Sequence, residues 1–449
     1  MVAPVQRVFA PGRWLPIVEG ARAADLREIV DEIAGPLSDP VLEGFVDSDW
    51  AAAPPQVRHS RRASLAGGHA GIAVFFGYVY RDGGRVEDLR SARAHIQQAI
   101  EIVARYPTMG GLWDGVLGIA WAASHLHAAL GEQDTEDPAA AADDLLAEML
   151  GGKAVIGSYD LVGGLVGWGT YCLERLPRPR ARVNLERIVD ALLRIAEVKD
   201  EGITWHTKPE WLPAFQLENA PTGMYNLGLA HGAPGAIALL AAARSAGFAD
   251  ARVASAVEKA SRWVLAQELP SNEAARFPSW VVPGTAPKSS RCAWCYGDPG
   301  VAVAVLRAAR AVGDAGLAAK AVAVAVDAAN RPFPRTGVVD AGICHGAAGL
   351  AHIYNRMYQA SGDNRLREAA CSWYERTLDL RRPGRGIAGF GSYKPHPSRP
   401  DPWVTDPGLL TGAAGIGLAL LAAISTVEPD WDRALMTTVP VMPAMRAES

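Results

Sequence analysis

The chain has 449 residues, with 44 Lys+Arg against 48 Asp+Glu and a formal net charge of −4. That near balance argues against a general nucleic-acid binder, which needs a basic surplus, and 49% hydrophobic with 20% charged residues excludes global disorder. Five Cys are too few for a disulfide scaffold and point to a reducing compartment, while the length allows two or three domains or one large repeat architecture.

The N-terminal Met1-Val2-Ala3-Pro4-Val5-Gln6-Arg7 lacks the basic start and apolar run of a signal peptide. Residues 1–60 read as an irregular lead-in with one helix, Ala23 to Ile33. From there a G-x-x-G tetrad recurs seven times, beginning at Gly68, Gly115, Gly164, Gly232, Gly297, Gly346 and Gly412. The intervals are 47, 49, 68, 65, 49 and 66 residues. Each tetrad runs into an Ala/Leu/Val/Ile stretch that is apolar nearly all round, as in Gly235 to Ala243, which predicts a buried helix. Glycine at the helix start lets backbones approach closely. In most units an amphipathic helix follows, such as Ser91 to Val103 and Arg252 to Gln267.

The longer intervals hold insertions. Residues 200–226 mix aromatic, β-branched and Pro residues and read as extended segments over one end of the molecule, with His206 among them. Arg381 to Pro407 is rich in Gly, Pro and Arg. Gly408 to Val427 carries no charge and is long enough to span a bilayer. Its four Gly, its Ala content and the lack of a flanking basic cluster favour a helix buried on all sides, so no transmembrane segment is expected. Residues 428–449 read as a poorly ordered tail.

Repeats of about 50 residues with two helices each predict stacked hairpins. The expected fold is all-α: seven hairpins closed into a double barrel across 61–427, buried helices inside and amphipathic ones outside. The glycine-rich helix starts then gather at one mouth, where free N–H groups and positive dipole ends favour anions and thiolates.

The reactive residue types stand just before the tetrads. His231 precedes Gly232, Cys295-Tyr296 precedes Gly297, Cys344-His345 precedes Gly346, and Asp160 lies four residues before Gly164. Two thiols and an imidazole make a soft three-ligand set that suits Zn²⁺ and leaves a fourth position open, as catalytic zinc sites do. Plain structural roles compete: buried thiols for the Cys, a helix cap for His231, an N-cap for Asp160. Cys292-Ala-Trp-Cys295 lacks the βαβ setting of a redox pair and the second Cys pair of a Cys₄ zinc site. Cys172, Cys371 and His69 read as structural. Paired carboxylates of the glycosidase kind are missing from the tetrads.

Four segments together resemble the LanC lanthipeptide cyclases, the lanthionine synthetase C-like family: Ser290-Arg291-Cys292-Ala293-Trp294-Cys295-Tyr296-Gly297, Cys344-His345-Gly346, Leu229-Ala230-His231-Gly232, and Tyr159-Asp160-Leu161-Val162-Gly163-Gly164-Leu165. The resemblance runs from the first tetrad to the last. It implies an α/α toroid with one zinc held by Cys295, Cys344 and His345. It also implies that His231 and Asp160 are the acid/base candidates, that Arg291, Trp294 and Tyr296 line the site, and that a small β-containing extension sits between repeats three and four. The implied activity adds cysteine thiolates of a dehydrated precursor peptide to dehydroalanine or dehydrobutyrine. Alternatives are addition of a small thiol such as glutathione, or a non-catalytic zinc-stabilised scaffold. No dehydratase region fits in the chain, so a free-standing cyclase is expected, cytoplasmic or held at a membrane with a separate dehydratase and an exporter. Cys292 departs from the family pattern and is expected to bring a third thiol close to the metal.

Overall fold

A computed structural model describes residues 14–41, 53–106, 108, 110–131, 137–151, 157–248, 250–397 and 399–440. Each tetrad begins a helix, with its first glycine as the N-cap: His69–Gly83, Val116–Ala129, Leu165–Glu174, Ala233–Ser245, Asp298–Val312, Ala347–Ser361 and Ala413–Ile424. In Ala233–Ser245 every residue from Ala233 to Ala243 is buried, as an apolar helix surrounded by others must be. The tetrad glycines are required by sterics. The preceding loop folds back so that the carbonyl six residues earlier lies where a Cβ would be. At Gly300 the obstacle is the Trp294 oxygen, at Gly235 the Leu229 oxygen and at Gly415 the Leu409 oxygen.

Gly300→Ala is therefore expected to destabilise by about 1–3 kcal/mol, the usual cost of overpacking, despite alanine's better helix propensity. Gly83→Ala, where nothing lies within 4 Å of a new Cβ, is expected to be neutral or slightly stabilising. Urea unfolding of both variants checks this.

The seven tetrad helices pack neighbour to neighbour in chain order, and the seventh packs on the first, closing an inner barrel. Outside each lies a partner: Val86–Arg105, Ala140–Gly151, Pro179–Ile195, Ala251–Leu265, Ala315–Ala329 and Asn364–Asp379. The seventh outer position is filled from the other end of the chain. Helix Gly20–Leu37 packs on Ala413–Ile424, and the N–H groups of Ile17 and Val18 donate to Ala423 O. The lead-in helix is thus longer than predicted and completes the ring. The result is an α/α toroid. The uncharged 408–427 stretch yields a buried helix of 12 residues. No helix of the described residues is long and apolar enough to cross a membrane.

The tail differs from its expectation. Residues 428–440 pack into the toroid, with Trp431, Leu435, Met436 and Val439 buried and Leu435 O reaching the Trp294 indole of the fifth tetrad loop. Asp432, fully buried, accepts from His352 (2.9 Å) and Arg356 (2.8 Å) of the sixth inner helix. Apolar burial and a paired carboxylate fix this segment; residues 441–449 lie outside the described ones.

Between repeats three and four, β1 (Glu197–Lys199) pairs with β2 (Gly202–Thr204). β3 (His206–Thr207) and β4 (Met224–Asn226) form a sheet with β5 (Trp280–Val281), a strand contributed from beyond the fourth tetrad. In the second insertion β6 (Ser392–Tyr393) pairs with β7 (Trp403–Val404).

Candidate metal and catalytic site

A closed circle of backbone hydrogen bonds links the seven tetrad loops. The acceptor is always the carbonyl two residues before the first glycine: Trp113, Val162, Ala230, Cys295, Cys344, Leu410 and Ala66, each bonded from the preceding loop at 2.8–3.4 Å. Cys295 and Cys344 hold equivalent places in adjacent repeats, with Cys295 N donating to Cys344 O at 3.2 Å. Residues far apart in sequence therefore meet. The ligand atoms of Cys295, Cys344 and His345 all lie within 4.8 Å of one another, the one such group of three among the described residues.

The donor set fits zinc: two sulfurs and an imidazole, with no carboxylate in the group. The two thiols behave as a pair. Cys295, accepting a hydrogen bond from Cys344 and flanked by His345, is held well below the ordinary thiol range. Cys344, which donates that bond and faces the resulting charge, is held well above it. The Arg291 guanidinium favours the thiolate at both, from an exposed position.

His231 stands one residue before Gly232, as Tyr296 and His345 stand before their glycines. Its Nδ1 lies 2.9 Å from Asp160 Oδ2. The other Asp160 oxygen accepts from Gly163 N (3.0 Å) and Gly164 N (3.1 Å) at the start of the third inner helix. Asp160 is therefore not the N-cap of that helix, which is Gly164; one of its oxygens holds the loop before the helix and the other meets His231. A carboxylate on Nδ1 keeps the proton there and leaves Nε2 as the nitrogen that Asp160 does not hold. Loss of hydration opposes charge on His231, but the Asp160 hydrogen bond and charge outweigh it and hold the imidazole above its ordinary value. Tyr296 lies over His231 with ring centroids 5.7 Å apart, and Trp280 of β5 meets Tyr296 edge-on at 6.0 Å.

Three expected neighbours lie elsewhere. Trp294 is 2% exposed, its Nε1 donating to Leu435 O of the tail and its ring meeting Trp113 at 5.8 Å. An indole needs both apolar cover and a partner for its N–H, and the barrel interior offers both. His206 pairs with Tyr225 across β3–β4. Alternation puts both on the sheet face opposite Asn226, which is the residue that touches Tyr296. Cys292 is fully buried and directed at Ala328 O (3.9 Å), with burial pushing its thiol up to about 12. It is outside the three-ligand group, because three residues of tight loop turn it away from Cys295.

The sequence reading missed the residues that stiffen these loops. Asn226, Asp340 and Asp406 each stand six residues before a tetrad glycine, and each accepts from the N–H two residues on (2.8, 3.2 and 2.8 Å). The remaining polar atom reaches outward. Asn226 Nδ2 donates to Tyr296 Oη, Asp340 accepts from Tyr393 N of the second insertion, and Asp406 accepts from Lys394 and Thr411. Their shared signal was available: an Asx-x-Gly turn at a fixed distance before the tetrad.

Among curated proteins, the nisin biosynthesis protein NisC of Lactococcus lactis subsp. lactis is 27% identical over 213 residues, 43% of this chain and 48% of that protein. The match thus spans about half the relative's length. Among solved structures, one titled nisin cyclase matches with a TM-score of 0.71 at 19% identity, covering 93% of this chain and 98% of that one, which shows a shared fold. Residues 59–436 match the model of the lanthionine synthetase C-like protein family, and the chain belongs to that family.

Proposed function

We propose that the chain is a zinc-dependent peptide cyclase that forms lanthionine or methyllanthionine rings in a dehydrated precursor. The observation that carries this reading is the Cys295/Cys344/His345 group beside the His231–Asp160 pair. Zinc held by these three ligands supplies a lowered pKa to a fourth, incoming thiol, so that a substrate cysteine is a thiolate near neutral pH.

The chain's own residues do the rest. The substrate sulfur forms a bond to the β-carbon of a dehydro residue, and the C=C electron pair moves to an enolate. Arg291 bears positive charge at this mouth and favours that anion. His231 Nε2–H delivers a proton to the α-carbon, with Asp160 holding the imidazolium. The proton lost by the substrate thiol restores His231, so the addition is balanced and consumes no redox partner. A separate dehydratase supplies the unsaturated residues.

The test mixes purified protein with a dehydrated precursor peptide and counts alkylatable thiols by mass spectrometry. Loss of one thiol per ring, at unchanged peptide mass, is expected. Thiols that persist as in a protein-free control contradict cyclisation of that peptide, and a mass gain from added glutathione points to external-thiol addition instead.

A further inference from the structure

The repeat supplies an internal comparison. In repeat seven, Asp406 uses its outward oxygen to accept the hydroxyl hydrogen of Thr411 (2.6 Å), the residue just before Gly412. In repeat four the equivalent residue is Asn226, an amide, and it meets the hydroxyl of Tyr296, the residue just before Gly297, at 3.0 Å. The direction of this bond is fixed. Gly228 N–H can only donate, and at 2.8 Å it takes Asn226 Oδ1. Nδ2 is then the atom left for Tyr296, and it can only donate, so the phenol oxygen accepts. Asn226 is 1% exposed and held in β4, so no water competes with Gly228 N–H for Oδ1. With the Asn226 amide on its oxygen, the phenol has its hydrogen left to give. Its ring lies beside His231, centroids 5.7 Å apart, so the tyrosine borders the proposed acid.

We infer that Asn226 is a positioning residue that commits the Tyr296 hydroxyl to donating a hydrogen bond to the substrate, at the carbonyl oxygen of the dehydro residue where enolate charge develops. The inference rests on the cyclase reading above. The hydrogen bond is weak to the neutral carbonyl and stronger to the enolate, so it acts on the rate rather than on binding.

Asn226→Asp tests this. The carboxylate keeps the acceptor for Gly228 N–H but replaces the donor by an acceptor, which captures the Tyr296 hydrogen as Asp406 captures that of Thr411. Expected is a fall in kcat of about 10²-fold, the scale of losing one oxyanion donor, with KM within twofold and the thermal midpoint and zinc content unchanged. Tyr296→Phe is expected to fall equally, and the double variant no further. Asn226→Ala, which removes the donor to Tyr296 without supplying an acceptor, stands in if Asn226→Asp does not fold, and is expected to lower kcat with KM within twofold. Activity within twofold of wild type in a folded Asn226→Asp protein, losses that multiply in the double variant, or an equal change in KM overturns the inference. A wild-type protein that cyclises nothing sinks the cyclase reading instead.

Discussion

Cys344→Ala is expected to abolish cyclisation, by at least about 10³-fold, while leaving the protein folded. The sulfur is one of three ligand atoms, and Cys295 and His345 alone make a poor site for a tetrahedral ion. The backbone duties of Cys344 survive the change. Its N–H still donates to Leu410 O and its carbonyl still receives Trp294 and Cys295. Activity and stability therefore separate. Cys292→Ala is the matched control, with the opposite profile: zinc retained and stability lowered by roughly 1 kcal/mol or more, because that thiol is core volume. Single-turnover assays, metal analysis and thermal melts of both variants check the contrast. Equal activity loss in the two would mean that either cysteine acts by packing.

Asp160→Asn is expected to lower kcat by about 10²–10⁴-fold with little loss of stability. The asparagine oxygen still accepts from Gly163 and Gly164 in the loop before the third inner helix, while the amide now faces His231 Nδ1 as a donor. That inverts the imidazole tautomer and removes the charge that stabilises the protonated ring. The sign with pH follows. An imidazolium acid works below its pKa, so the wild-type rate falls as pH rises through the elevated His231 value. In Asp160→Asn the same fall moves to lower pH. The folded state shares this linkage: the Asp160–His231 pair contributes stability below the unfolded histidine value of about 6.5 and loses it as pH rises through the folded one. A pH–rate profile whose alkaline limb does not move in Asp160→Asn removes His231 as the acid.

The toroid was legible because glycine spacing is a steric signal. Each G-x-x-G marks a loop pressed on a helix start, and seven of them count the inner helices directly. Closure was less legible. The seventh outer helix comes from residues 20–37, and nothing in local periodicity says that the first helix packs on the last. The tail differed for a related reason: Trp431 and Leu435 look unremarkable until the barrel interior that buries them exists.

Residue type and position before a tetrad singled out Cys295, Cys344 and His345, whose ligand atoms the fold brings together, and His231 and Asp160, which it pairs. Side-chain direction was beyond such reasoning. Trp294 and Cys292 share a motif with Cys295, yet a tight loop sends them into the core while the Cys295 sulfur faces the mouth side. Asn226 carries no reactive group and gains its meaning from the Tyr296 hydroxyl, 70 positions away.

X-ray absorption at the zinc edge of protein purified without chelators tests the ligand set most directly. One zinc per chain with two sulfur scatterers at about 2.3 Å and the remaining N/O scatterers at about 2.0 Å is expected. A metal content far below one per chain, or a first shell with no sulfur or with three protein sulfurs in the peptide-free protein, contradicts it.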